Sequence, residues 1–525
     1  MLDLTLQELV YGKSSRMDLM EYKSKSEYKI KIGIYRNHSF ELIEHTIAPY
    51  LDYAGIKAEF VYSDYDDSLS FVDLDTTTDM MILWLDLGRY TTKDLNLFLK
   101  NRVSYLSEVY KKPVLIAFLG KETEKYSETE FPIDEISKKM GDKFFDYRME
   151  PFSGTRISMA ASLELSKQLG LNYIPSIIGL RIKAIIVDLD NTLYKGVLGE
   201  DGISGLQLTD SYKEFQEELL RLKNEGFFLC IASKNELKDV EEMLEQRQDF
   251  LLKKKDFSNI FCSWKPKYEA VNEIINTLNI GTDSLLFIDD NPGELLEMES
   301  AFPEIKKLLV NKDAVNSSYM LRNYPGIKRL LVTYEDIIRN EDMEANKKRK
   351  EFKNSMSNDE YLKTLHMKLT FSIDCKDDVK RISELANKTN QFIFNYKRYT
   401  MDQLNSMMED DSYVVVSIRL SDCLSDSGII ATCIGKIEDN ALNVEECFIS
   451  CRALGRGIEK LIVGKSIEII IQELLKTDVS ISFIKGEKNI PAEKFLMNNF
   501  ECYINKKEKW NCNLNEDIVE IEIRR

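Results

Sequence analysis

Apolar runs alternate with helical periodicity through the first third of the chain. Residues 40–55 have the pattern of a helix that ends at a glycine. The apolar runs around it have the length of buried strands and cover residues 28–35, 57–63, 79–87 and 112–120. Strands that alternate with helices indicate a parallel sheet with helices on both faces, and a helical stretch near 154–171 closes this part.

The same alternation resumes near residue 178. An apolar strand at 184–187 comes first, and four further segments continue the order: a helix at 211–226, a strand at 227–233, a helix at 235–246 and a strand entering a helix at 284–298. This order again predicts a doubly wound parallel sheet. Ligands of such sheets bind beyond the carboxyl ends of the strands, so we expect a functional site there.

The last part of the chain has a different order. Residues 334–364 are strongly charged, which predicts a solvated helical connector with a domain boundary inside it. Beyond the connector, consecutive strands precede a long helix at 457–475, and these strands cover 413–420, 428–439 and 441–449. Strands in sequence followed by a helix are typical of an α+β unit.

We therefore predict a multidomain α/β protein. Its three parts are expected at 1–177, 178–345 and 346–525. The first part has the order of a parallel α/β domain, but it contains no GxGxxG segment, no Gly-Asp-Ser nucleophile segment and no Cys-His pairing. We interpret it as a non-catalytic scaffold or docking domain.

The composition restricts the class of protein. The chain has 525 residues, 43% hydrophobic and 30% charged, with a net charge of −17, which argues against general nucleic-acid binding. No secretory signal and no run near the ~18 apolar residues of a membrane span is found. Nine cysteines without a CxxC pair favour reduced thiols in a cytoplasmic protein. His38, His45 and His366 are too few and too scattered for a zinc cluster.

Two aspartates follow the most apolar short strand. Asp188 and Asp190 lie just beyond residues 184–187, and alternate residues of a strand share a face, so both carboxylates can converge. Two such groups at close range repel each other, and their burial is costly. Asp289 and Asp290 follow a later apolar strand and supply a third carboxylate. Converging carboxylates are ligands for a hard cation, best for Mg²⁺, which offsets the repulsion.

A serine and a lysine complete a set for phosphoryl transfer. Ser233 ends an apolar strand, where its hydroxyl and the next backbone N–H can hold phosphate oxygens. Lys265 or Lys267, in the segment WKPK, can neutralise the charge of a pentacoordinate phosphorus. Each feature alone is more often a loop, a turn or a solvated side chain. Together, in this order and at strand ends, they indicate phosphoryl transfer.

These segments resemble those of a known family. DLDNT, Ser233, Lys267 and IDD occur in the order of the haloacid dehalogenase-like (HAD) superfamily. VDLDNTLYKGVLGEDG, ASKNE, WKPK and FIDDNPGE resemble its FkbH-like, IIIC-type branch. The resemblance implies that Asp188 is the nucleophile that forms an aspartyl-phosphate, and that Asp190 is the general acid and then the base. Thr192 would orient Asp190 and hold the turn at the strand end.

The same resemblance assigns the phosphate and metal ligands. It implies that Ser233 binds the transferring phosphate and that Lys267, rather than Lys265, neutralises its charge. It places Mg²⁺ among the carboxylates of three residues, namely Asp188, Asp190 and Asp289.

The segment after the first aspartates departs from the family pattern. Where Trp-Gly-Gly is usual, the chain has Tyr194, Lys195 and Gly196, so Lys195 is either a further phosphate ligand or a surface residue. About three dozen residues separate the aspartates from the next predicted strand, which leaves no room for a large cap domain. An uncapped site is either open to a bulky substrate or roofed by the neighbouring domains.

A second resemblance lies in the last part of the chain. SCRALGRG forms an R-x-x-G-x-G segment between a strand and a long helix, and such a loop can present backbone N–H groups to phosphate. The segment NIPAEKFLMNNFEC follows at the spacing of the Gcn5-related N-acetyltransferase (GNAT) fold, which binds the pyrophosphate-pantetheine arm of coenzyme A. The resemblance implies a cradle of four residues, namely Arg452, Gly455, Arg456 and Gly457.

The FkbH-like resemblance covers most of the chain, and the first part then corresponds to an SGNH- or flavodoxin-like domain. FkbH-like proteins take a three-carbon unit from 1,3-bisphosphoglycerate, dephosphorylate it and pass glyceryl as a thioester to the phosphopantetheine arm of an acyl carrier protein. An acyl phosphate is already activated, so a thiol attacks it without ATP. The resemblance thus implies a Mg²⁺-dependent phosphatase and glyceryl transferase.

Two assignments in the last part stay open. Cys451 is either a covalent acyl carrier beside the cradle or a buried thiol at a strand end. The polar run NKTNQF either lines an acyl pocket or lies on a helix surface, and its candidate residues are Asn387, Thr389, Asn390 and Gln391.

Two other functions fit the same residues. The first is a plain phosphatase that acts on a small phosphorylated acid while the GNAT-like part loads another acyl group. The second is a non-catalytic carrier-docking protein with a vestigial metal site. The presence of the complete phosphoryl-transfer set argues against the second.

Overall fold

The structure is a computed structural model that describes most of the chain. Outside the description lie residues 1–3, 66–68, 92–93, 111, 122–124, 128, 279, 331–344, 346–348, 350–363, 451–452, 487–488 and 517–518. The chain forms two compact units: unit 1 comprises 1–275 and 281–332, and unit 2 comprises 276–280 and 333–525. The three-part division remains a prediction, and most of the charged connector at 334–364 lies outside the described residues.

The first sheet of unit 1 has four parallel strands in the order β2-β1-β3-β4. The strands are β1 (Lys29–Arg36), β2 (Lys57–Tyr62), β3 (Met80–Asp86) and β4 (Val114–Leu119). The helices of this half are α1 (Leu4–Tyr11), α2 (Arg16–Glu21), α3 (Glu41–Tyr53), α4 (Leu95–Val109), α5 (Ile133–Met140), α6 (Glu150–Ser153), α7 (Met159–Gln168) and α8 (Ile174–Ile177). Every residue of β3 is buried, so this strand forms the centre of the half, with Trp84 fully enclosed.

The second sheet of unit 1 has five parallel strands in the order β7-β6-β5-β8-β9. The strands are β5 (Ala184–Val187), β6 (Phe228–Ser233), β7 (Asn259–Cys262), β8 (Leu285–Asp289) and β9 (Lys306–Leu309). The helices are α9 (Leu198–Gly205), α10 (Asp210–Asn224), α11 (Leu237–Gln246), α12 (Lys267–Leu278), α13 (Pro292–Ala301) and α14 (Ser317–Arg322). Fully buried strands β5, β6 and β8 form the middle of this sheet, as their apolar runs predicted.

Side chains join the two halves of unit 1, of which one is built on the first sheet and the other on the second. Gln7 on α1 donates to the carbonyl oxygen of Leu309 at 2.8 Å, at the end of edge strand β9. Asn172 donates to the side-chain oxygen of Asn323 at 3.0 Å, and both side chains are buried. A cluster of edge-to-face rings, Tyr11, Tyr53 and Tyr324, fills the space beside them.

Unit 2 is built on a seven-stranded sheet in the order β15-β14-β13-β12-β11-β10-β16. The strands are β10 (Lys368–Ile373), β11 (Tyr413–Ser421), β12 (Asp426–Glu438), β13 (Ala441–Ile449), β14 (Asp478–Ile481), β15 (Glu508–Lys509) and β16 (Glu520–Arg524). The helices are α15 (Val379–Lys388), α16 (Met401–Met408), α17 (Glu459–Leu474) and α18 (Ile490–Asn499). Strand pairs β10·β16 and β13·β14 are parallel and the other pairs are antiparallel.

The mixed α/β, multidomain fold class predicted from the sequence is confirmed. In the described part of the chain, every helix falls short of the length and apolar character that crossing a membrane requires. Strands β7 and β9 were not predicted, because Asn259–Cys262 and Lys306–Leu309 are short and mix polar with apolar residues.

A glycine lets α17 approach the sheet of unit 2 closely. We expect Gly435→Ala to cost about 1–3 kcal/mol of unfolding free energy, because the added Cβ would lie 2.4 Å from Ile470 Cγ2 and 2.9 Å from Leu442 Cδ1. Urea unfolding followed by circular dichroism measures this change. Gly199→Ala is the matched control, since nothing lies within 4 Å of its added Cβ. Equal stabilities of the two variants would contradict the close packing.

Candidate active site

The candidate site lies at the carboxyl edge of the second sheet, where β5, β6 and β8 end side by side. Asp188 is the first residue after β5, and its backbone N–H donates to the carbonyl oxygen of Ile288 at 3.0 Å. Asp289 ends β8, and Ser233 ends β6. Because neighbouring parallel strands end at one edge, residues distant in sequence come together there. All three side chains are buried.

Lys267 is the first residue of α12, and its ammonium group lies between two carboxylates. Nζ is 2.7 Å from Asp188 Oδ1 and 2.7 Å from Asp289 Oδ2, and the residue is 6% exposed. Burial acts to lower the pKa of Lys267, but the two carboxylates outweigh burial and hold its pKa above the usual value. Lys265 is exposed and pairs with Glu269 at 3.2 Å. The structure therefore brings Lys267, and not Lys265, to the aspartates.

Three carboxylates at this edge form a group that can hold a metal ion. One oxygen from each of Asp188, Asp289 and Asp290 lies within 4.8 Å of the others. Burial raises the pKa of Asp188 to about 6, with Asp289 adding to the rise and Lys267 opposing it. Burial, followed by the charge of Asp188, also raises the pKa of Asp290. A single ammonium leaves this group with excess negative charge, and an all-oxygen donor set fits a hard divalent cation.

Asp190 has protein donors around its carboxylate. Oδ1 accepts from the hydroxyl of Tyr194 at 2.8 Å and from the backbone N–H of Leu198 at 2.9 Å. Oδ2 accepts from the side-chain amide of Asn235 at 2.8 Å. These donors orient the carboxylate of Asp190. The three carboxylates that can hold a metal ion include Asp290, whereas the sequence analysis expected Asp190 among them.

Asn235 links the predicted acid to the predicted phosphate ligand. Its amide nitrogen lies 2.8 Å from Asp190 Oδ2 and 3.0 Å from Ser233 Oγ, and all of its contacts are at the strand edge. Thr192 is also buried, but its hydroxyl has no hydrogen-bond partner among the described residues. Tyr194 and Asn235 therefore orient Asp190, the role expected of Thr192. The segment ASKNE contained the signal for Asn235, next to the predicted serine.

The segment between β5 and β6 is a short flap. Lys195 has an exposed side chain, and its backbone exchanges two hydrogen bonds with Gln207, at 2.9 and 3.0 Å. Gly196 follows with a φ of 117°, which favours glycine. Helices α9 and α10 occupy the rest of the segment. This length agrees with the expectation that no large cap domain covers the edge.

The predicted cradle in unit 2 is described only in part. Cys451 and Arg452 lie outside the described residues. Gly455 and Gly457 both have a φ of 80°, and the N–H of Gly455 donates to the carboxylate of Glu459. These two glycines form a turn at the start of α17.

Arg456, the fourth predicted cradle residue, points into unit 2. Its side chain is 4% exposed, and Nη1 lies 3.4 Å from the buried carboxylate of Asp422. Nη2 lies 3.0 Å from Ser427 Oγ. These contacts are those of a structural ion pair, and the cofactor role remains a prediction.

The polar run NKTNQF begins in the last turn of α15 and continues beyond its end. Asn387 is exposed and donates to the carbonyl oxygen of Ser383 at 2.8 Å, as on a helix surface. Thr389 is buried, Gln391 is partly buried, and the exposed Asn390 accepts from Arg398 at 2.7 Å.

Sequence analysis missed a buried carboxylate near this run. Glu446 on β13 is fully buried and accepts backbone N–H groups of Phe394 at 2.8 Å and Lys397 at 2.9 Å. Burial raises its pKa to about 7, although the backbone donors oppose the rise. No local pattern marks it, because its partners come from a distant loop.

Comparisons with known proteins give distant likenesses. The chain matches no protein-family model and no curated protein. Similar solved structures include the N-terminal part of a Bacteroides fragilis protein containing a phosphatase domain complexed with Mg, with 21% identity, a TM-score of 0.45 and coverage of 62% of this chain and 99% of that one. A haloacid dehalogenase-like hydrolase of Streptococcus pneumoniae has 16% identity and a TM-score of 0.21, over 26% of this chain and 90% of that one.

A third likeness is to the structure of an acetyltransferase. A mutant of the spermidine N-acetyltransferase SpeG of Vibrio cholerae has 15% identity and a TM-score of 0.18, over 22% of this chain and 69% of that one. These identities and TM-scores are too low to assign a family or an activity.

The charge balance at the edge makes a prediction for stability. Without divalent metal, we expect Asp188→Asn to raise the unfolding free energy at pH 8 by about 1–3 kcal/mol, because it removes a charge that burial, together with Asp289, disfavours more than Lys267 stabilises it. Because the pKa of Asp188 is higher in the folded protein than in the unfolded chain, the protonated carboxyl stabilises the fold. This stabilisation is fully present below the pKa of the unfolded chain and is lost as the pH rises through about 6. The gain should therefore shrink at pH 5.

Urea unfolding in EDTA at pH 5 and pH 8 measures the effect of Asp188→Asn. Asp142→Asn is the control, since Asp142 is exposed and its loss should change stability by less than about 0.5 kcal/mol. A destabilised Asp188→Asn variant at pH 8 would mean that the ion pair with Lys267 outweighs the repulsion.

Proposed function

We propose that the protein is a Mg²⁺-dependent, HAD-type phosphatase and glyceryl transferase. It dephosphorylates a three-carbon unit from 1,3-bisphosphoglycerate and loads glyceryl as a thioester onto an acyl carrier protein. The observation that carries the phosphatase is the buried ammonium of Lys267, 2.7 Å from both Asp188 and Asp289 at the carboxyl edge of a parallel sheet. The transferase rests on the family resemblance of the sequence.

Asp188 acts as the nucleophile. Lys267 holds its Oδ1, which keeps the carboxylate in place at the sheet edge. The carboxylate attacks phosphorus, the bond from phosphorus to the substrate oxygen breaks, and an aspartyl-phosphate forms. Lys267 then neutralises negative charge on the transferred group, and Ser233 binds one of its oxygens.

Asp190 moves the protons. It gives a proton to the departing substrate oxygen and then takes one from the water that attacks the aspartyl-phosphate, which releases phosphate and restores Asp188. Tyr194 and Asn235 hold the carboxylate in position for both steps.

The carboxylates of Asp188, Asp289 and Asp290 fit the metal by their chemistry and spacing. When bound, Mg²⁺ supplies positive charge for the phosphate oxygens and offsets the repulsion among the carboxylates. Asp289 is itself oriented by the backbone N–H of Asn291, at 2.9 Å from Oδ1.

Loading of the carrier needs no additional energy source. The carrier thiol, or first the thiol of Cys451, attacks the acyl carbon of the acyl phosphate, and the carbon–oxygen bond to phosphate breaks as the thioester forms. The remaining phosphate ester is hydrolysed at Asp188, which leaves a hydroxyl group. The turn at Gly455 and Gly457, between β13 and α17, is the proposed support for the phosphopantetheine arm.

The nucleophile assignment is tested by phosphate release. We expect Asp188→Asn to reduce release from the phosphorylated three-carbon acid by on the order of 10³-fold or more, because the aspartyl-phosphate cannot form. Lys267→Ala should also cause a large loss, whereas the matched variant Lys265→Ala should retain nearly full activity, since Lys265 is exposed. Circular dichroism checks that each variant is folded. Retained activity in Asp188→Asn would refute the assignment.

The transferase is tested by the mass of the carrier. The protein is incubated with Mg²⁺, 1,3-bisphosphoglycerate and phosphopantetheine-bearing acyl carrier protein, and we expect the carrier to gain the mass of a glyceryl group. Phosphate release without a mass gain would support the plain phosphatase instead. Neither product would support a carrier-docking protein. Carrier without phosphopantetheine is the control, because it has no thiol to load.

A further inference from the structure

A second polar cluster lies in unit 1, at the carboxyl edge of the first sheet. Arg36 ends β1, and His38 follows it by two residues. Asp86 ends β3, with Arg89 just beyond it, and Arg156 reaches the same place from the segment before α7. The phosphatase proposed above uses none of these residues.

Acidic groups hold the arginines of this cluster in place. Arg156 Nη2 donates to Asp86 Oδ1 at 2.8 Å, and the carboxylate of Asp86 is almost fully buried. Arg36 Nη1 lies 2.5 Å from a carboxylate oxygen of Glu41. The guanidinium of Arg36 also lies over the ring of Tyr62, 4.1 Å from its centroid. The guanidinium groups are therefore positioned before any ligand arrives.

Apart from Arg36 Nη1, which faces the Glu41 carboxylate, three nitrogen atoms of the cluster are buried and lack hydrogen-bond partners among the described residues. They are His38 Nε2, Arg36 Nε and Arg156 Nε. His38 itself is 0% exposed. A buried polar atom without a partner is costly, so such atoms in a folded protein usually meet a ligand or a water molecule.

The surroundings of His38 indicate what its free nitrogen offers. Nδ1 lies 2.9 Å from Thr155 Oγ1, which also accepts the backbone N–H of Ile157 at 3.2 Å. The Thr155 hydroxyl has a second lone pair, so it can donate to Nδ1 or accept from it; where it donates, Nε2 is the protonated nitrogen of a neutral ring. Burial, aided by the nearby arginines, lowers the pKa of His38 to about 3, so the ring is neutral at pH 7. All three unpartnered nitrogens then donate.

The cluster is open to solvent on one side. The side chains of Arg89 and Arg156 are 34% and 24% exposed. Gly120 borders Arg156 with a φ of 82°, and an added Cβ there would lie 3.7 Å from Nη2. The exposed ring of Tyr65 lies beside Arg36, with its centroid 4.5 Å from the guanidinium carbon. Solvent therefore reaches the outer parts of the Arg89 and Arg156 side chains.

We propose that this edge is a binding site for a small oxyanion, the carboxylate or phosphate group of a metabolite, held by His38 Nε2 and the guanidinium groups of Arg36 and Arg156. Nitrogen donors favour an anionic oxygen, and guanidinium groups match carboxylate and phosphate geometry. The site is independent of the Asp188 edge and gives the first half of unit 1 a ligand of its own.

The three histidines of the chain allow a local test. Side-chain ¹H–¹⁵N spectra of the full-length protein with ¹⁵N-histidine are recorded during titration with inorganic phosphate and, separately, with acetate. We expect the Nε2 signal of His38 to shift in a saturable way with one of the two anions, which also identifies the class of oxyanion. The signals of His45 and His366 should stay unchanged, and they report any general effect of salt.

Two arginine variants test the ligand contacts. Arg156→Gln should weaken binding about tenfold or more, since a hydrogen bond to a charged group contributes about 1.5–3 kcal/mol. Arg148→Gln is the matched control, because Arg148 lies in the same segment with its side chain 91% exposed, and it should change affinity less than about twofold.

A second measurement covers the case in which Arg156→Gln does not fold. His38→Phe keeps a ring against Trp84, whose centroid is 5.2 Å from that of His38, but removes Nε2. With Trp264 and Trp510 replaced by Phe, Trp84 fluorescence reports the site, and His38→Phe should abolish the anion-dependent change. The proposal is overturned if neither anion shifts the His38 signal, or if the Arg148 and Arg156 variants lose affinity equally.

Discussion

The ammonium group of Lys267 is the contact on which the edge of the second sheet depends. Strands β5 and β8 are parallel neighbours, so the residues that end them, Asp188 and Asp289, are forced together in a buried place. Two carboxylates there would repel each other and lose hydration. Lys267, 2.7 Å from each, makes their burial possible. One positive charge does not balance three carboxylates once Asp290 is included, and the remaining negative charge favours a divalent cation.

The two sheets of unit 1 use the same geometric principle with different side chains. Parallel strands end at one edge, so side chains at their carboxyl ends meet even when they are far apart in sequence. In the second sheet the edge collects aspartates, which suits a cation and a phosphoryl group. In the first sheet it collects Arg36, Arg156 and His38, whose unpartnered nitrogens suit an anion. One architecture thus supports two chemically distinct edges.

The same sequence pattern predicted both the buried strands and the candidate site. A buried parallel strand is a short, nearly continuous apolar run, and the polar residue that ends it stands out against that run. Asp188, Ser233 and Asp289 were recognised in this way. Tyr194 and Asn235 were not, because their contacts with Asp190 depend on how the flap and the loop after β6 fold back. Glu446 was missed for a similar reason, since its donors come from a loop some 50 residues earlier, at Phe394 and Asn395.

Local order along the chain was enough to establish the α/β class and the strand-end carboxylates, because burial and periodicity are properties of neighbouring residues. The residues by themselves left Lys265 and Lys267 open and the family resemblance favoured Lys267; the tertiary structure brings Lys267 to the carboxylates. The segment WKPK offers two lysines two positions apart, and the start of α12 turns Lys267 inward while Lys265 stays in solvent. The folded chain likewise decided that Asp290 joins the carboxylate group while Asp190 is held by Tyr194, Leu198 and Asn235, because such contacts depend on side-chain directions that no linear pattern contains.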